Sequence, residues 1–257
     1  MLTTAYTSGS PNWLDLGSPD TDAAARFYRA VFGWECRSAG QDSRGYGLFR
    51  KDGKTVAALG PLTEQGADPA WTIYFRTDDA DATARAVQNA GGTVRAAPFD
   101  VMKAGRIACL TDPEGGQFSV WQPGEVAGLD LVGLPGALCW LELASHDAGD
   151  FAFYSTVFDW HAEAMEVPGT TYTVLSPADG DPKQDSFGHV TILQGGHRPC
   201  WLPYFWVEEV DGVVDAICAH GGSVTKPATD ASYLGRMAVV ADPSGAPFAV
   251  TTPKPAP

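Results

Sequence analysis

The stretch Phe27-Tyr28-Arg29-Ala30-Val31-Phe32-Gly33-Trp34 decides the fold, because it returns as Phe153-Tyr154-Ser155-Thr156-Val157-Phe158-Asp159-Trp160. Its neighbours return with it. Trp13-Leu14-Asp15-Leu16 reappears as Trp140-Leu141-Glu142-Leu143, and Trp71-Thr72-Ile73-Tyr74-Phe75 as Trp201-Leu202-Pro203-Tyr204-Phe205. Gly91-Gly92 matches Gly221-Gly222, and Asp112-Pro113-Glu114-Gly115-Gly116-Gln117-Phe118 matches Asp242-Pro243-Ser244-Gly245-Ala246-Pro247-Phe248. The offset between matched pairs stays near 130 residues throughout (71 to 201, 112 to 242), so one unit was duplicated whole. Any residue the fold requires can therefore be checked in two copies.

Around the opening stretch, Ala24, Phe27, Tyr28, Val31 and Phe32 recur at helical spacing. Ser18-Pro19 offers a cap and a first-turn proline, and Gly33 stands where a left-handed stop belongs. Residues 12–17, 46–50 and 55–60 read as strands, the last two joined by a turn whose Asp52-Gly53 pair suits a hairpin. The order then repeats: a strand over 71–76, a helix over 79–90 and strands over 93–97, 106–111 and 117–122. Copy two follows with helices over 147–158 and 210–220. Each half-copy is a βαβββ unit. The expected organisation is a first domain over 9–123, a Gly- and Pro-rich linker over 124–135, a second domain over 136–252 and a disordered tail over 253–257.

The formal net charge is −14, from 17 basic and 31 acidic residues. A field of that sign repels phosphate backbones and anionic lipid, so nucleic acid and membranes are not expected partners. The five cysteines (Cys36, Cys109, Cys139, Cys200, Cys218) show no CxxC spacing and do not recur between copies. They read as small buried hydrophobes in a reducing compartment. With no secretory pattern near the start and no long apolar run, a cytoplasmic protein is expected. A monomer with an internal pseudo-dimer, or a homodimer, suits the repeat.

Strand, helix ending in FYxxVFxW, second βαβ and terminal DPxGxxF strand together resemble the vicinal oxygen chelate superfamily, which includes glyoxalases, extradiol dioxygenases and bleomycin-resistance proteins. The chain is similar to its tandem-domain actinobacterial members. The resemblance implies an α+β fold of two tandem glyoxalase/bleomycin-resistance-like domains, each a cup-shaped mixed sheet. It also implies a divalent-metal position in each cup, falling on Trp13, Thr72 and Ser119 in copy one and on Trp140, Leu202 and Ala249 in copy two. Zinc, iron and manganese need imidazole, carboxylate or thiolate donors, which these positions lack. No metal and no cofactor is therefore expected.

Strand alternation indicates what fills the cups instead. Trp13 shares a face with Asp15, Thr72 with Tyr74, and Ser119 with Trp121; in copy two Trp140 shares one with Glu142, Leu202 with Tyr204, and Ala249 with Thr251. Aromatic walls with few polar groups suit a flat hydrophobic molecule. The expected function is binding of an aromatic or polycyclic natural product, in the manner of a sequestering antibiotic-resistance protein. The alternative is a hydroxylase-like or acid/base tailoring enzyme acting on an aromatic polyketide, with Asp15 or Glu142 as the catalytic carboxylate and any flavin supplied from outside. Those carboxylates could equally form salt bridges with Arg50, Arg106 or Arg236, and the arginines at 106 and 236 could pair with Asp112 and Asp242. The histidines His146, His161, His189, His197 and His220 all fall in copy two; His146 and His220 read as structural, and His189 and His197 as flanking a strand-to-loop passage.

Overall fold

A computed structural model describes the chain apart from residues 1, 41, 42, 44, 63, 65, 147–150, 168, 169, 183, 194–197, 233 and 254–257. Copy one runs β1 (Pro11–Ser18), α1 (Thr21–Phe32), β2 (Glu35–Ser38), β3 (Gly47–Lys51), β4 (Lys54–Pro61), β5 (Ala70–Arg76), α2 (Ala80–Asn89), β6 (Thr93–Val101), β7 (Gly105–Thr111) and β8 (Gln117–Pro123). Copy two runs β9 (Leu138–Ser145), α3 (Phe151–Phe158), β10 (His161–Val167), β11 (Thr170–Ser176), β12 (Gly188–Ile192), β13 (Cys200–Trp206), α4 (Val210–Ala219), β14 (Ser223–Ala231), β15 (Gly235–Ala241) and β16 (Pro247–Thr252). Each copy forms one eight-stranded mixed sheet, ordered β2-β3-β4-β1-β5-β8-β7-β6 and β10-β11-β12-β9-β13-β16-β15-β14. The α+β tandem architecture expected from the repeat is what the chain adopts.

Local chemistry sets the helix ends. The cap of α1 is Asp20, whose carboxylate accepts the Ala23 N–H at 2.8 Å, rather than Ser18-Pro19, which precede it. Ser18 instead bonds the backbone of Asp20. Asp79 caps α2 and Glu209 caps α4 in the same way. Gly33 ends α1 at φ 72°, as its position suggested. Asp52 and Gly53 both have positive φ, the geometry of the hairpin turn expected between β3 and β4. The strand β2, fully exposed, was not legible in the periodicity. Part of the helix start expected over 147–158 lies outside the described residues, as does most of the tail.

The sheets follow the copies, but the packing does not. The chain divides into two compact units: one of Met1–Trp13, Thr72–Gly128 and Trp140–Trp201, the other of Leu14–Trp71, Leu129–Cys139 and Leu202–Pro257. Each unit joins half of copy one to half of copy two. The repeated motif residues explain why. In the first unit the Tyr154 hydroxyl donates to Asp112 Oδ2 at 2.8 Å and accepts the Trp201 indole N–H at 2.9 Å. In the second, Tyr28 donates to Asp242 Oδ2 at 3.3 Å and accepts from Trp71 at 3.2 Å. Trp160 donates to the Gly9 carbonyl and Trp34 to that of Gly136, each at 2.8 Å. Tyr154 stacks on Trp160 with 7° between planes, and Tyr28 on Trp34 with 14°. The FY and DP phrases are thus partners, each satisfied by the other copy's half.

The Asp of each DP phrase also closes its own turn, Asp112 accepting the N–H groups of Glu114 and Gly116, and Asp242 those of Ser244 and Ala246. Burial nevertheless holds both carboxyls above the usual carboxylate range. Because these aspartates are taken, Arg106 and Arg236 do not pair with them. Arg106 binds Asp81 and Asp100, and Arg236 binds Asp211 and Asp230, all short local reaches on the surface. The stretch expected as a linker is tied down: Gly124 and Val126 donate to Ala104, Asp130 exchanges bonds with Thr55, and Leu129 and Val132 are buried.

Candidate functional site

The odd positions of β5 (Trp71, Ile73, Phe75) enter the aromatic cores beneath the helices. The opposite faces of the central strands are therefore where the side chains singled out by alternation lie. In the first unit Trp13 stacks on Trp121, ring centres 5.7 Å apart and 13° from parallel. The Trp121 indole N–H donates to the Val126 carbonyl at 2.9 Å. Tyr74 is in register with Ser119 across the parallel β5–β8 pair. Ser119 is fully buried, and its hydroxyl is among the buried polar atoms with no hydrogen-bond partner in the structure. Thr72 is half-buried. In the second unit Asp15 is half-buried and accepts a 2.9 Å hydrogen bond from the Tyr46 hydroxyl.

Copy two carries a different set on β9, β11, β12 and the start of β13, all within the first unit. Glu142 and His189 are register partners on the parallel strands β9 and β12. Their side chains are 8% and 4% exposed, with His189 Nε2 3.8 Å from Glu142 Oε2. The Trp140 indole N–H donates to His189 Nδ1 at 2.8 Å. An indole nitrogen only donates, so Nδ1 must be bare. An imidazolium carries hydrogens on both nitrogens and could not accept this bond. His189 is therefore the neutral tautomer with its proton on Nε2, the atom nearer Glu142.

Half-buried Tyr172 meets the His189 ring edge to face at 5.2 Å. Burial, and then the Glu142 carboxylate, push the half-buried Cys200 thiol up to about 11, so it stays protonated at neutral pH. Leu202 and Tyr204 are buried in the second unit, with Tyr204 in register with Ala249.

The expected residues thus divide into separate groups, and several members were missed. His189 sits within β12, buried on the strand, not at its passage into a loop. Its signal was available: it is the one imidazole in the Phe187–Ile192 run, where the matching run of copy one, residues 56–61, holds only aliphatic residues, glycine and proline. Tyr46, Tyr172 and Cys200 carried no such mark. His146 donates its backbone N–H to Glu114 Oε2 at 2.8 Å, and His220 is the cap residue closing α4. His197 lies outside the described residues.

Among the described residues no three His, Cys, Asp or Glu side chains are grouped so as to hold a metal ion. The donors at Trp13, Thr72 and Ser119, and at Trp140, Leu202 and Ala249, are an indole, a hydroxyl or a hydrocarbon. That set does not fit zinc, iron or manganese. No helix among the described residues is long and apolar enough to cross a membrane.

The family model described as Glyoxalase/Bleomycin resistance protein/Dioxygenase superfamily matches residues 10–120 and 148–250. The chain is 37% identical to the anthracycline biosynthesis protein DnrV of Streptomyces peucetius, over 96% of this chain and 94% of that one. It is 36% identical, at the same coverage of both, to the anthracycline biosynthesis protein DauV of Streptomyces sp. strain C5. Among solved structures it is similar in fold to the Mn(II)-bound glyoxalase of Novosphingobium aromaticivorans, with a TM-score of 0.65 at 20% identity over 95% of this chain and 82% of that one.

Proposed function

Because the chain belongs to the glyoxalase/bleomycin resistance protein/dioxygenase superfamily, we propose that it binds an aromatic polyketide-type small molecule against the tryptophan-bearing strand faces, without a divalent metal. The carrying observation is the Trp13–Trp121 stack at the strand position where the family would place a metal donor. Both indoles are buried in the protein alone, and near-parallel aromatic rings are the kind of flat, polarisable wall against which a fused ring system packs. Tyr74, Thr72 and Ser119 add the few polar groups that orient such a ligand, with Asp15 on its own unit. Trp140, Glu142, Leu202 and Tyr204 are the counterparts in copy two. The two anthracycline biosynthesis relatives support a polycyclic ligand, since both match nearly end to end.

The test is a titration with 1,8-dihydroxyanthraquinone, a neutral planar tricycle, followed by tryptophan fluorescence. Saturable quenching is expected, with affinity weakened about tenfold by Trp13→Ala or Trp140→Ala, the scale of losing about 1–2 kcal/mol of ring contact. Unchanged affinity in both variants would defeat the assignment.

A further inference from the structure

We propose that Glu142 and His189 form a proton-transfer site for an enolisable aromatic or polycyclic ketone, with Glu142 as the base and the His189 Nε2–H as hydrogen-bond donor to the developing enolate oxygen. The inference rests on the planar-ligand reading above only for the class of substrate.

The geometry carries it. Two adjacent parallel strands bring a carboxylate and an imidazole together below 10% exposure, side by side in register. Trp140 fixes which imidazole nitrogen holds the proton, and that proton lies on the side of Glu142. Half-buried Tyr172 stands edge to face against the His189 ring, and Cys200, at the start of β13, is half-buried as well.

The duplication supplies a control. The residues that hold the compact units together recur in both copies: Tyr28 with Tyr154, Asp112 with Asp242, Trp34 with Trp160. This pair does not. Copy one has Asp15 in register with Ala58 where copy two has Glu142 in register with His189, and it builds the same eight-stranded sheet. The fold therefore has no need of a buried imidazole beside a carboxylate, an arrangement that is costly to desolvate. Buried titratable pairs of this kind concentrate where proton chemistry is done.

The step balances without a co-reactant. Glu142 takes a proton from the carbon next to the carbonyl. The electrons of that C–H bond become the new C=C bond, and the carbonyl π electrons move onto oxygen, where His189 donates its hydrogen bond. Return of the proton to carbon restores the ketone, and delivery to oxygen yields the enol. Nothing is oxidised or reduced.

The experiment uses the full chain with 1-tetralone in D2O, following loss of the α-CH2 signal by proton NMR while tryptophan quenching by the same ketone reports occupancy. Exchange at least tenfold above the buffer rate is expected, falling to the buffer rate in Glu142→Gln and about tenfold in His189→Asn, with each rate compared at a ketone concentration that saturates the quenching of that variant. Saturable quenching without faster exchange, or exchange untouched by Glu142→Gln, overturns the proton-transfer site and leaves the binding reading standing. An absence of saturable quenching overturns the binding reading and this inference with it. Should Glu142→Gln lose its fold by circular dichroism, Glu142→Asp decides: exchange at the wild-type rate from a carboxylate one methylene short overturns the assignment.

Discussion

Tyr154 and Tyr28 each hold three groups together: the hydroxyl donates to an aspartate and accepts from one indole, and the ring stacks on a second indole. Removing that hydroxyl leaves a buried carboxylate and a buried indole N–H each short of a partner. Tyr154→Phe should cost about 2–3 kcal/mol in urea unfolding, and Tyr28→Phe, whose bond to aspartate is longer, about 1–2. Tyr28 also makes a pH prediction. Burial, then the Asp242 charge, raise its ionisation well above the ordinary phenol value. The unfolded phenol loses its proton near pH 10, whereas the folded one keeps it. The stabilisation is thus fully present below about pH 10 and is lost as pH climbs from there toward the folded value. Tyr28→Phe should flatten the decline of stability above pH 10, and an unchanged alkaline limb would refute the assignment.

At the scale of elements, the two copies test helix termination against each other. Gly33 closes α1 at φ 72° with open space where a Cβ would stand, so only its conformation matters there. Copy two meets the same need with Asp159, at φ 56°. A β-carbon in the left-handed region is strained, although aspartate tolerates it better than most residues. Asp159→Gly should therefore raise stability by about 1 kcal/mol, and Gly33→Ala lower it by a similar amount, measured by thermal unfolding. Equal and opposite shifts would identify backbone conformation as the cause. This much was written in the repeated phrase itself, since Gly33 and Asp159 occupy its seventh position. The caps were legible only in kind: Asp20 was displaced by the more conspicuous Ser18-Pro19, because side-chain reach, not residue type alone, decides which oxygen meets the free N–H groups.

At the scale of the molecule, each compact unit takes half its residues from each copy. A segment holding copy one alone keeps Tyr28 but lacks Asp242, and keeps Asp112 but lacks Tyr154. Residues 9–123 and 136–252 expressed separately should consequently fail to form stable monomers, remaining unfolded or self-associating, whereas co-expression should restore a folded pair. Sedimentation and near-ultraviolet circular dichroism would check this, and a separately folded monomeric half would contradict it.

The duplication, the family and the order of strands and helices apart from exposed β2 were legible in the chain, because hydrophobic period and turn residues are local and each was stated twice. That positions 13, 72 and 119 carry an indole and two hydroxyls was equally plain, since residue type is read directly from the chain. What sequence could not supply was the partnership of distant residues. It did not show that Tyr154 belongs with Asp112, that Asp15 binds Tyr46, or that His189 stands beside Glu142 with its tautomer set by Trp140. Those pairings depend on which strands lie adjacent and which halves pack together. Only burying the aromatic faces in three dimensions decides that, because apolar surface is satisfied by any well-packed partner, whatever its distance along the chain.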